Sequence, residues 1–372
     1  MLRIHDARWS SVFLVLGVLA LSIALLAGAL HVAGYDAVRA LAALWSGSFG
    51  SANAFLSATL VRATPLMLAG LGIALAFRAG IWNIGAEGQL LAGAAAATAT
   101  SLAAAALPAL ITMPLVLAAG ALAGLIWASI ADVLRRTRGV LEVISTIMLN
   151  FVALYLVGFL VHGPLQEPLG IYPQSASIPE AARLPRLIPG TRLHTGFAMA
   201  LLLAPALWWW LRSTAAGFRV RAAGAGPHAA RTAGRIDVPR VAGAAFLVSG
   251  ALAGVAGAVE VSGVTLALYE NLSAGYGYTA IVVALLARLD PLAVIPSAIL
   301  FGALESGALA MQRDAGIPSV VVTAVEAVLV LSLLVAERWR VARREPNERE
   351  QTGHDAAYEG GAGPHPARVG VS

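Results

Sequence analysis

The chain has 372 residues, 59% of them hydrophobic and 12% charged, with a formal net charge of +5, a balance that excludes an ordinary soluble protein and marks an integral membrane protein. All 25 basic side chains are arginine, so no Walker A loop, which needs a lysine to reach the phosphates, exists in this chain, and any ATP it uses is bound by another protein. There is no cysteine, and the histidines at 5, 31, 162, 194, 228, 354 and 365 are scattered without an HExxH pair, so no metal site and no cofactor is expected.

Spanning a hydrocarbon core of about 30 Å takes roughly 20 apolar residues. Read against their Arg, Pro and Gly punctuation, the apolar runs predict about ten spans, near 11–33, 63–79, 86–106, 109–131, 142–162, 196–211, 240–260, 278–289, 291–311 and 318–337. The first follows Arg3 and Arg8 like a signal peptide, but its apolar stretch is too long for one and reads as a retained helix. The spans at 278–289 and 291–311 are short and close together, and a re-entrant pair fits them as well as two crossings. The fold class is therefore all-α, a polytopic transmembrane domain over 1–337 followed by a charged, then Gly- and Pro-rich tail over 338–372 that reads as disordered.

Short cytoplasmic loops carry the excess of positive charge. With the N-terminus inside and ten crossings, 19 arginines fall inside, and Arg39, Arg62, Arg183, Arg186, Arg192 and Arg313 fall outside. Both termini are thus expected in the cytoplasm. Residues 163–195 hold six prolines and form an external loop too irregular to lie in lipid. The repeated Gly120-Ala-Leu-Ala-Gly124 and Gly250-Ala-Leu-Ala-Gly254 suit close helix packing.

Polar residues at membrane depth are costly and point to function. The run Arg78-Ala-Gly-Ile-Trp-Asn-Ile-Gly-Ala-Glu-Gly-Gln89 sits between two apolar stretches. It reads as a broken helix beside a pathway or as a capped cytoplasmic turn. Glu142, Thr146 and Asn150 recur every fourth residue along one helical face, which a bundle interior or a water-filled path would accept. Glu305 and Glu326 interrupt apolar runs and need a partner, a proton or a polar cavity. In the basic loop 212–240, Pro227 suits a first helical position and Gly234 a stop, framing about two turns of helix. So short a helix is unstable alone. It is either ordered by docking on a partner or lies as a basic loop on anionic headgroups.

Taken together, four of these stretches resemble the permease subunits of ABC importers in the branched-chain amino acid and ribose permease superfamily, and more narrowly its nucleoside-uptake subclass. They are Arg78 to Gly93 with its Asn-Ile-Gly-Ala-Glu-Gly-Gln core, Glu142 to Asn150, Arg221 to Gly234, and Gly275-Tyr-Gly-Tyr to Arg288 followed by Phe301-Gly-Ala-Leu. The resemblance implies a type II-like importer permease of ten spans in the bacterial inner membrane. It would pair with a second permease subunit, a different chain, and work with a two-site ATP-binding cassette ATPase and an extracytoplasmic solute-binding lipoprotein, with no nucleic acid partner. It further implies that the segment with Gly217, Arg221, Gly224, Pro227, Ala229, Ala230 and Gly234 is the coupling helix seated on the ATPase. Gly226 and Arg235 depart from the family pattern there. The expected substrate pathway is Trp82, Asn83, Glu87, Gln89, Thr146, Asn150 and Glu305. The expected solute is a small polar one, a nucleoside, with a simple sugar as the alternative. A secondary transporter using Glu305 or Glu326 as a proton site is the competitor from another class. No nucleophile or paired-carboxylate constellation supports an enzyme.

Overall fold

The computed structural model of the chain describes residues 34–318, with isolated positions beyond both ends. Residues 1–37 and 320–372 form one unit and Val38–Ser319 another. The expected spans at 11–33 and 318–337, with Glu326, and the tail lie outside the described residues.

Among the described residues the secondary structure is helical apart from isolated bridges. In chain order the helices are α1 (Ala37–Ser48), α2 (Ala52–Arg78), α3 (Ala86–Ala103), α4 (Ala109–Arg138), α5 (Glu142–Val161), α6 (Thr195–Ser213), α7 (Ala215–Ala225), α8 (Pro227–Thr232), α9 (Val238–Thr265), α10 (Tyr276–Leu286) and α11 (Pro291–Ala315). Helices α2, α4, α5, α9 and α11 are long and apolar enough to cross a membrane. The apolar stretch of α2 is 89% buried against 22% for α4, so α2 is the axis of the bundle and α4 turns its Leu110, Leu122 and Ile126 outward. A helix apolar on every side belongs in such an interior.

The two repeated glycine pairs meet each other. A Cβ on Gly254 would strike the Gly120 carbonyl, and one on Gly124 would strike that of Gly250. Gly93 of α3 faces the Gly254 backbone in the same way. Helices α3, α4 and α9 therefore touch backbone to backbone, the packing that small residues permit where lipid offers no hydrophobic drive.

Two expectations are corrected. Helix α2 begins at Ala52, well before 63, because Arg62, which reads as a loop charge, is paired inside the bundle and does not break the helix. Helix α10 has 11 residues, about 16 Å at 1.5 Å per residue. It is too short for the crossing expected at 278–289, and an irregular run over 266–275 precedes it. Helix α1 was not anticipated from the sequence.

At one end of the bundle, the arginine-rich end, α6 turns sharply into α7. Thr214 caps α7 by accepting the Gly217 N–H (3.0 Å), and a Cβ on Gly217 would collide with the Trp210 carbonyl and Leu211. At the other end the Pro-rich loop 163–195 is stitched onto the end of α9, Ser175 N–H donating to the Leu268 carbonyl (2.9 Å) and Leu184 N–H to that of Ser262 (2.9 Å). His194, 1% exposed, sits in a cradle formed by Gly196 and Gly263. Burial, with the nearby Arg192 charge, lowers its pKa from 6.5 to about 4.

Candidate functional site: two interior helix starts

Helix α2 ends in a Schellman closure: Gly80 is left-handed (φ 81°), Ile81 N–H donates to the Ala76 carbonyl (3.2 Å) and Gly80 N–H to that of Phe77 (3.1 Å). The chain then runs back into the bundle in extended form, so that α3 starts within the protein. Buried irregular backbone needs partners for its polar groups, and here side chains supply them. Asn83 Oδ1 accepts the Gly85 N–H (3.0 Å) in an Asx turn. Its Nδ2 donates to Gln89 Oε1 (2.9 Å) and Ser249 Oγ (2.8 Å), and Gln89 Nε2 donates back to Asn83 Oδ1 (3.0 Å). Asn83 and Gln89 are 0% and 1% exposed.

Asn150 completes the junction from α5. Its Oδ1 accepts the Gly88 N–H (2.8 Å), a free donor in the first turn of α3, and its Nδ2 donates to the Ile84 carbonyl (2.9 Å) and to Tyr278 Oη (3.2 Å). Asn150 lies eight residues into α5, about 12 Å from that helix's start. Helix α10 begins beside α3. Ser273 Oγ accepts the Tyr276 N–H (3.1 Å) and Glu87 Oε2 accepts the Gly277 N–H (2.7 Å). A carboxylate at that end complements the helix dipole, which explains how Glu87 is accommodated in an apolar bundle. Gly277 is required for the close approach, since a Cβ there would strike the Glu87 backbone. The junction thus joins α3, α5, α9 and α10 through four buried polar side chains the sequence singled out or passed over: Asn83, Gln89, Asn150 and Ser249.

The other expected pathway residues stand apart. Thr146 is buried against Gly85, but its hydroxyl donates to the Glu142 carbonyl of its own helix (2.7 Å). Trp82 is 52% exposed and packs on Phe77, ring centroids 4.6 Å apart. Glu305 belongs to a second cluster. Its carboxylate lies 3.8 Å from Arg62, whose guanidinium donates to Tyr276 Oη (3.4 Å), and buried Glu260 of α9 shares the electrostatic surroundings of Tyr276. Sequence reading did not assign Arg62, Glu260, Tyr276 or Ser249. A lone arginine between apolar residues was the available signal for the first, and nothing marks Ser249 beyond its polarity within an apolar run.

The basic segment forms the expected short helix. Helix α8 has Gly226 before it, Pro227 at its first position, and an end at Thr232. The expected stop at Gly234 is displaced: the left-handed residue is Arg235 (φ 48°), while Gly234 is needed because a Cβ would press on the Ala230 carbonyl. Ala230 is buried against Ala223 and Val238, whereas Pro227, His228, Ala229 and Arg231 are exposed. On α7, Arg221 is half-buried and Gly224 lies against the end of α2, where a Cβ would strike the Arg78 carbonyl and approach the Gly80 N–H. Among the described residues, no group of three or more His, Asp or Glu could hold a metal ion.

Residues 55–336 match the family described as branched-chain amino acid transport system / permease component. Three relatives illustrate the match. The chain is 38% identical over 324 residues to the guanosine ABC transporter permease protein NupP of Bacillus subtilis, covering 86% of this chain and 92% of the relative. It is 36% identical over 321 residues to the glucose ABC transporter permease protein TsgB13 of Haloferax volcanii, 82% and 84% of the two chains. It is 31% identical over 311 residues to the nucleoside ABC transporter permease protein NupB of Lactococcus lactis, 81% and 85%.

Proposed function

The chain belongs to the family of branched-chain amino acid transport system permease components, an ABC transporter permease and not an enzyme, and from that premise we propose that it is the membrane subunit of a nucleoside importer. The family replaces the secondary-transporter alternative. The solute rests on the relatives: two of the three are named for guanosine or nucleosides, and the guanosine permease matches over nearly its whole length. TsgB13 supports a second reading, import of a hexose. Uptake of radiolabelled guanosine and adenosine, compared with glucose, ribose and branched-chain amino acids in vesicles holding the cognate binding protein, separates the two. Sugar uptake without nucleoside uptake overturns the first reading.

The arginine-rich end is assigned to the cytoplasm of a bacterium, with both termini there and the loop 163–195 facing a binding lipoprotein. ATP hydrolysis belongs to a two-site partner ATPase, because this chain has no lysine for a phosphate loop. One contact carries the mechanism: Gly224 of α7 lies directly on the Arg78 carbonyl and Gly80. A push delivered to the exposed α8 passes through α7 to the end of α2, and from there to the segment Trp82–Gln89, which begins two residues beyond Gly80. Helices α7 and α8 are thus the coupling element, and the junction of α3 and α10 is the part of the transport path it moves. Two interior helix starts lined with amide and hydroxyl groups suit a hydroxyl-bearing solute. A second permease subunit supplies the opposite wall, facing the exposed Trp82 and Tyr278. Deleting Pro227 to Ala233 is expected to abolish solute-stimulated ATP hydrolysis in the reconstituted complex while the permease remains inserted. Intact stimulation in that deletion refutes the coupling assignment.

A further inference from the structure

At the arginine-rich end, a crevice of about 430 Å³ opens between α2, α6, α7 and α9. Leu75, Leu207, Trp210, Ala244 and Val248 are among the residues forming its walls, which are apolar but for Arg219 of α7. Val248 is 46% exposed, so the crevice opens sideways from the bundle and not only toward water. Its size lies within the roughly 300–1,000 Å³ of small-molecule sites.

Three observations fix what fills it. The sequence Trp208-Trp209-Trp210 lies in the last two turns of α6, with Trp209 59% exposed, and such aromatic belts sit at headgroup depth. The crevice reaches from that belt toward Leu75, one turn inside the end of α2, so its floor lies at acyl-chain depth. Arg219, exposed and without an ion pair among the described residues, stands at this level on the helix that connects α6 to α8 and α9. Neighbouring Arg212 is already engaged, 4.6 Å above the Trp208 ring and 4.0 Å from Asp290. An apolar crevice alone gains little by exchanging lipid for lipid, because hydrocarbon is as apolar as leucine. A free guanidinium beside it makes the difference, favouring an anionic headgroup on the cytoplasmic leaflet.

We propose that this crevice is a binding site for one anionic phospholipid, an acyl chain lying between α6 and α9 and the phosphate on Arg219. The proposal rests on the cytoplasmic assignment of the arginine-rich end made above. The bound lipid braces α7, the helix that carries α8, so it ties coupling to the charge of the inner leaflet.

The test uses the assembled transporter in nanodiscs of phosphatidylcholine doped with phosphatidylglycerol, and reads lipid retention by native mass spectrometry together with quenching of tryptophan by brominated chains. Retention of phosphatidylglycerol over phosphatidylcholine is expected, falling at least tenfold in Arg219→Gln, and in Ala244→Trp, which fills the crevice. The part of the quenching that Trp210→Phe removes is expected to be greater with brominated phosphatidylglycerol than with brominated phosphatidylcholine. Equal retention of the two lipids, or unchanged retention in Arg219→Gln with the complex still assembled, overturns the proposal. So does a cross-link from Val248→Cys, a unique thiol in this cysteine-free chain, to the ATPase or to another permease subunit, since a protein would then occupy the crevice. Lipid retention is read without transport, so failure of the nucleoside reading leaves this result standing, and the reverse.

Discussion

Replacing Asn150 by leucine keeps the side chain's shape and removes its polar ends. The Gly88 N–H, which is buried, and the part-buried Ile84 carbonyl then lose their partner within the bundle. Each buried orphan costs about 1–3 kcal/mol, so Asn150→Leu is expected to destabilise the permease by about 2–6 kcal/mol. Tyr278→Phe removes only the longest of the three bonds, 3.2 Å, and its phenol is 43% exposed as a residue, so it is expected to cost about 1 kcal/mol or less. The pair is expected to be non-additive, as for any two residues sharing one network. Unfolding of the purified permease in mixed micelles, titrated with denaturing detergent and followed by tryptophan fluorescence, gives these differences directly. Uptake at matched expression should fall with Asn150→Leu. A loss below about 1 kcal/mol, or equal losses for the two single variants, would refute the idea that Asn150 holds the start of α3.

A second test concerns pH. His194 has a pKa of about 4 when folded against 6.5 when exposed, so between those values the unfolded chain holds more protons. Stability present above pH 6.5 is therefore lost as pH falls toward 4, by on the order of 3 kcal/mol, and His194→Phe should flatten the pH profile of the thermal transition between pH 7 and 5. Gly254→Val drives a side chain into the Gly120 carbonyl and Gly124 Cα and should cost about 1–3 kcal/mol or more, while Gly226→Ala, whose Cβ would meet only Ala229 at 3.8 Å, should change the transition temperature little. Glu87→Gln keeps an acceptor for the Gly277 N–H and should preserve uptake better than Glu87→Ala, and equal uptake by the two would show that this bond is dispensable.

Much of this was legible in the sequence because the signals are cumulative. Long apolar runs give the helices, and the two Gly-Ala-Leu-Ala-Gly segments were recognisable as close-packing surfaces, though not as each other's partners. Asn83, Glu87, Gln89 and Asn150 were recognisable because polar groups inside an apolar run need a reason to be there. Their partners were not, since hydrogen bonds spanning 62 or 166 residues leave no local pattern. Periodicity grouped Thr146 with Asn150, but a threonine hydroxyl in a helix can bond back to its own backbone, and here it does. Arg62 misled because charge alone reads as a loop. Its compensation by Glu305 comes from a helix more than two hundred residues away. Gly234 was a reasonable stop, yet the left-handed turn fell to Arg235 because Gly234 was taken by the approach to Ala230.

The backbone contacts among α3, α4 and α9 also restrict how the bundle can change shape. Sliding α9 along α4 by a single residue, about 1.5 Å, would move the Gly254 Cα off the notch at Gly120 and Gly124 in which it sits. These three helices can tip as one body but cannot slip past one another. Any alternation between outward and inward openings is thereby pushed to the elements around this trio: α5, held to the start of α3 through Asn150, and α10, held to it through Glu87 at the end where the irregular run over 266–275 leads into it. The glycine-locked trio is then the fixed frame of the bundle, and α5 and α10 are the pieces left to shift against it.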